Sequence, residues 1–245
     1  MNWNTVLGIA SIVCTLLPVI IIIYNGFYKH RSLFALMLYY ILMAVYNLLE
    51  QHLLPASDSL IRALGLIDNY LDAPLMLMTL LFFCPNKQKQ KMVHVLTISF
   101  IAFEIIISFI YHFKRQAVIT ILGVGIAMIL VYAFFLFVRQ IKFSVMHRKN
   151  TGRTLMLASI LFSYGSFGLV YYFYYILSTP YMADTILIYN ITTLVSALLM
   201  GIGIQMMSRR IKELHSLKIT RKELEQFFTS PKVKFRNIEH PPQAE

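Results

Sequence analysis

A bundle of seven transmembrane helices, all-α, with the N-terminus outside and the C-terminus inside, is the fold this sequence predicts. Three observations predict it. Hydrophobic residues make up 58% of the chain and charged residues 13%, with a mean hydropathy of +0.66, a mixture outside the usual range of soluble domains. Seven apolar runs, 4–28, 33–53, 60–83, 92–113, 117–138, 153–178 and 182–208, are each long enough at about 1.5 Å per residue to cross a hydrocarbon core of about 30 Å. The basic residues, finally, fall on alternate connections. Lys29 and Arg31, then Lys87, Lys89 and Lys91, then Arg139, Lys142, Arg148, Lys149 and Arg153, and then the tail leave only Arg62, Lys114 and Arg115 of the 22 Lys and Arg for the opposite side. The positive-inside rule then sets the orientation.

The connections carry turn and charge signals: Lys29-His30-Arg31, Pro55-Ala56-Ser57-Asp58, Pro85-Asn86-Lys87, Lys114-Arg115, His147 to Gly152 and Thr179-Pro180. The first run, Val6 to Ile23, is aliphatic with few polar handles and ends in an interfacial group, Tyr24, Phe27, Tyr28 and Lys29, so it is expected to face lipid. Met1 to Thr5 lacks a basic n-region and a cleavage site, so this run is expected to be retained as a span. The second run carries Tyr39, Tyr40, Tyr46 and Asn47 and ends in Glu50, Gln51 and His52. There Glu50 or His52 is either a wetted interfacial group or the lining of an outer vestibule.

The third run holds the most informative stretch. Asp68, Asp72 and Pro74 interrupt a segment otherwise apolar enough to span. A carboxylate at bilayer depth costs several kcal/mol even on lenient scales, so both must face protein, water or each other, and both are candidates to carry protons. Their four-residue spacing stacks them on one helix face, and Pro74 loosens the backbone ladder just beyond them. Glu104 is the one deep ionisable group of the fourth run. It is either a hydrogen-bonded carboxyl at a helix contact or part of the same polar network. His94 and His112 stand a span apart and cannot share a metal.

Small residues in the last three runs, Gly123, Gly125, Ser163, Gly165, Ser166, Gly168, Ser196, Ala197, Gly201 and Gly203, suit close helix packing. Tyr171 to Tyr175 suits an interfacial aromatic belt, while Tyr164 and Phe167 lie deeper, as core or as walls of an apolar pocket. Beyond the membrane domain, 1–208, the basic tail, 209–245, repeats Ile211, Leu214, Leu217, Leu224 and Phe228 near helical spacing. Thr220-Arg-Lys-Glu223 matches a capping box, so a second helix is expected to start there. Ser230-Pro231 to Glu245 reads as flexible. The net charge of +11 reflects topology and attraction to anionic inner-leaflet lipids, not nucleic acid. A cytoplasmic protein docking on 209–230 is the alternative use of the tail. Cys14 and Cys84 suggest no disulfide, and no Walker, HExxH, G-x-S-x-G or Cys/His ligand pattern is present.

The seven runs resemble the microbial rhodopsins in number, orientation and length. In that family the third helix carries the chromophore counter-ion six residues before a proline followed by Leu-x-Leu; here Asp68 precedes Pro74, Leu75, Met76 and Leu77. Tyr164 and Gly165 fall where the family often has Tyr-Pro, and Val195-Ser196-Ala197 stands where it has Val-Ser-Ala-Lys. The lysine position is Leu198, however, the carboxylate four before it is Leu194, and the arginine three before the counter-ion is Gly65. The resemblance therefore implies a lysine-lacking bundle with no covalent retinal, and no covalent cofactor is expected. Two functions follow, and the sequence favours the first. One is a cell-membrane binding or signalling module (inner membrane in a Gram-negative cell) that holds a lipid-like or isoprenoid ligand non-covalently and reports through its tail. The other is a proton-linked transporter or channel using Asp68 and Asp72, with Glu104 or Glu50 assisting. An intramembrane lipid hydrolase stands behind both.

Overall fold

The computed structural model describes residues 3–51, 53–147, 150–177 and 182–229, and these are helical with short connections and no strand among them. The helices are α1 (Trp3–Tyr24), α2 (Arg31–Glu50), α3 (Asp58–Leu80), α4 (Lys87–Ile110), α5 (Arg115–His147), α6 (Thr151–Tyr171) and α7 (Met182–Thr229). A 3₁₀ turn, Leu81–Phe83, extends α3, and a π turn, Tyr172–Ile176, extends α6. All seven are long and apolar enough to cross a membrane. The chain separates into two compact units, Met1–Ser208 and Arg209–Glu245.

α3 occupies the centre of the first unit, packed against α2, α4 and α5. Ser57 caps its start, accepting from the Leu60 N–H, and the helix continues through Pro74 without a break. Two glycines let neighbours close on it. A Cβ on Gly65 would stand 2.9 Å from Cε2 of Tyr46, and one on Gly125 of α5 would stand 2.9 Å from Cβ of Ala73. A backbone-to-backbone approach joins α6 and α7, where a Cβ on Gly152 would meet the Gly203 carbonyl oxygen at 2.6 Å. Gly123 similarly makes room for the Tyr171 hydroxyl, which donates to the Ile119 carbonyl at 2.9 Å. Gly165 differs from these: nothing lies within 4 Å of its Cβ direction, so close packing does not account for it.

One end of the bundle gathers the basic residues. There the Phe82 ring carries the His30 ring edge-on at 5.3 Å and the Arg153 guanidinium at 4.8 Å, a cation–π arrangement. Ser208 donates to Asn25 Oδ1 at 2.5 Å, joining α7 to the end of α1. Between this end and mid-bundle, Leu33, Leu36, Leu77, Leu80, Met156 and Ile204 are fully buried in one apolar cluster.

Two expectations need correction. α1 is not simply lipid-facing: Val13, Ile20 and Ile23 are exposed, but Ser11, Ile12, Thr15, Val19 and Ile22 form a buried stripe. Both faces are apolar because lipid and protein interior are alike in polarity, so hydropathy alone does not tell them apart. No second helix starts at Thr220. Its hydroxyl donates to the Ser216 carbonyl at 3.1 Å inside α7, because a threonine within a turn already formed bonds backward instead of capping. Ile211, Leu214 and Leu217 are exposed; the side chains of Leu224 and Phe228 lie outside the described residues, as do His52, Thr179-Pro180 and 230–245.

Gly152→Val should destabilise the bundle by about 1–3 kcal/mol or more through overpacking, whereas Gly165→Ala should leave the melt unchanged or raise it. Thermal melts of both variants in detergent check this, and equal melts would mean that the α6–α7 crossing is not tight.

Candidate functional site

The site begins with the two carboxyls that the spacing on α3 stacks one above the other. Asp68 and Asp72 lie about 15 and 21 Å along the axis from Asp58, at about 1.5 Å per residue, so Asp72 is at mid-bundle. Both are half-buried. The Tyr164 hydroxyl of α6, itself fully buried, donates to Asp72 Oδ1 at 2.9 Å. Tyr39 of α2, also buried, comes close to the same carboxyl and to Tyr164. A hydrogen bond to a charged or buried carboxyl is among the stronger neutral-donor interactions, and here it ties α6 to α3.

From Asp72 toward the α2–α3 connection the polar groups continue. Asp68 has Glu50 as its charged neighbour. Tyr46, held over Gly65, lies beside Glu50 and near Asp68. Tyr189 of α7 lies close to Asn47, which is 3% exposed and whose Nδ2 has no hydrogen-bond partner among the described residues. Glu50 itself is exposed at the end of α2. The result is a column, Glu50, Asp68, Asp72, running from an open end to the middle of the bundle. The charged groups that act on Asp68 and Asp72 are other carboxyls. Among the described residues no three His, Cys, Asp or Glu side chains converge as a set of metal ligands.

Glu104 joins this network from the side. It is 5% exposed, its Oε1 has no hydrogen-bond partner among the described residues, and its charged neighbour is Asp72. Its carbonyl accepts from Ser108 at 2.7 Å, and the Ser108 hydroxyl pairs with that of Tyr70 on α3, also at 2.7 Å. Tyr164 and Phe167 pack on each other edge to face at 5.9 Å, and Phe167 stacks on Tyr189 at 5.5 Å. These rings fill the space between α6 and α7. A larger hollow, about 370 Å³, lies among Leu66, Ile67, Tyr70, Leu71 and Phe113, of which all but Tyr70 are exposed.

Tyr39, Tyr46, Asn47 and Tyr189 belong to the site although the sequence reading assigned them no role. A signal for the first three exists: Tyr39, Tyr46, Asn47 and Glu50 recur at i, i+7, i+8 and i+11 on α2, one face of a helix. No comparable signal marks Tyr189, whose place follows from the α2–α7 approach. Comparison with protein-family models, curated proteins and solved structures found no match to the chain.

Tyr164→Phe should cost about 1–3 kcal/mol of stability by leaving Asp72 without its donor. In an Asp72→Asn background that cost should change, giving a coupling of about 0.5–3 kcal/mol in a double-mutant cycle. Additive melts would mean that the bond contributes nothing.

Proposed function

We propose that this is a proton-handling transporter or channel of the cell membrane, N-terminus outside and C-terminus inside, in which Glu50, Asp68 and Asp72 take up protons from the outer side and bring them to mid-bundle. The observation that supports this best is the chemistry of the column. Carboxyls in a low-dielectric interior with only other carboxyls as charged neighbours repel one another, and a shared proton relieves that repulsion. Tyr164 and Tyr39 supply hydroxyls that both donate and accept, as a proton path requires. The rhodopsin-like kinship that we infer from Asp68, Pro74 and the Val195-Ser196-Ala197 stretch fits the same reading, with the photochemical lysine absent.

The apolar-ligand reading has less room. The space beside Tyr164 and Phe167 is taken by their own rings, so a lipid-like molecule would have to lie in the hollow at Leu66, Ile67 and Leu71.

Protein reconstituted in liposomes should dissipate an imposed pH gradient, and Asp68→Asn and Asp72→Asn should each reduce that flux about tenfold or more. Undiminished flux in the double variant would overturn the proposal. For the orientation, Ala56→Cys should react with an impermeant maleimide on intact cells and Gln88→Cys only after lysis. The reverse pattern would place the carboxyl column on the inner side.

A further inference from the structure

The carboxyl column stops at Asp72, yet one turn further toward the basic end the bundle leaves a small cavity of about 10 Å³. Five hydroxyl-bearing residues line it: Tyr39 and Tyr40 of α2, Ser159 and Ser163 of α6, and Ser196 of α7. Apolar side chains close the rest. Two of these hydroxyls donate to backbone carbonyls: Ser159 to that of Ser196 at 2.7 Å and Ser196 to that of Thr193 at 3.1 Å, while Tyr40 lies against Ser159. Ser163 differs from the other two serines. It is 8% exposed, and among the described residues its hydroxyl makes no hydrogen bond, not even backward to its own helix.

A hydroxyl that faces a cavity without a protein partner is met in folded proteins by ordered water. The volume is at the lower limit for one water, roughly 10–15 Å³, and the lining supplies the two to four polar partners that a buried water needs. We propose that this cavity is a single-water site, and that its water, anchored by Ser163, is the proton carrier that follows Asp72. The assignment of that role rests on the proton-handling reading; the water site itself does not.

Tyr39 connects the two, since it lines the cavity and also approaches Asp72. Its oxygen accepts the proton from the Asp72 carboxyl while its own hydroxyl proton passes to the water. The tyrosine is left unchanged with its O–H reversed, Asp72 is left as carboxylate, and the water holds the extra proton on the side of Ser163 and Ser196. Beyond it lies the apolar cluster of Leu36, Leu77 and Met156, so onward release requires that cluster to open.

The test uses the full chain in lipid nanodiscs and in liposomes, with water itself as the probe. Infrared spectra in H₂¹⁶O and H₂¹⁸O should show an isotope-sensitive band of an isolated internal water. Ser163→Val, which fills the cavity, should remove that band and lower proton flux about tenfold, with the helical circular dichroism unchanged. Should Ser163→Val fail to fold, Ser163→Ala keeps the room and removes the anchor, so the band should shift and the flux fall. No isotope-sensitive band in the wild type would overturn the site. A Ser163→Val flux equal to wild type, in a preparation where Asp72→Asn abolishes flux, would overturn the water's role and leave the column's intact. A band that Ser163→Val removes, in a wild type that carries no flux, would keep the site and overturn the proton-handling reading.

Discussion

The hydrogen bond from Tyr164 to Asp72 is the interaction on which the rest of the interior depends. A carboxyl at mid-bundle is tolerated only with donors around it and lipid kept away, and both conditions act on the helix that carries it. α3 is therefore packed against α2, α4 and α5 and reached by α6 through the tyrosine itself. The close approaches that enclosure needs are made at glycine, with Tyr46 seated on Gly65 and Ala73 against Gly125. Any side chain at either position would push apart the helices that shield the carboxyls.

The two ends of the bundle are built on different chemistry. Toward the α2–α3 connection the interior is a succession of carboxyl, phenol and amide groups, and Glu50 meets solvent. Toward the basic end it is Leu, Met and Ile at near-zero exposure, sealed by the stacking of Arg153 and His30 on Phe82 and by the Ser208–Asn25 bond. The polar path thus enters from one end and stops against an apolar plug. The cavity at Ser163 sits on the boundary between the two regimes, which is where a single water has the largest effect on whether the path continues.

Much of the architecture was legible from composition and run length, because crossing a bilayer leaves little freedom. Each helix in the membrane must be about 20 residues long and satisfy its own backbone. The two candidate carboxyls of α3 were equally legible, since charge at that depth is rare and four-residue spacing makes them neighbours. The buried stripe of α1 was not, and neither was the unbroken course of α7 past Thr220. In the first case lipid and protein look alike to an apolar side chain; in the second a capping pattern reads the same whether or not the helix before it has ended. Small residues were also ambiguous: Gly152 and Gly203 are wedged together, while a Cβ on Gly165 would meet nothing within 4 Å among the described residues.

By itself, then, the sequence determined a seven-helix membrane chain with a charge asymmetry between its ends and two carboxyls on one face of its third helix. Those features rest on hydropathy and helical period, which are local. Only the tertiary structure decided that Tyr39, Tyr46, Tyr164 and Tyr189 face those carboxyls, that Glu104 approaches Asp72 from α4, and that Ser163 finds no hydrogen-bond partner among the described residues. Each of these depends on how a helix is rotated and on which neighbour it meets. In a membrane that rotation is set by the fit of small residues and by hydrogen bonds between helices distant in the chain, for which hydropathy carries no signal.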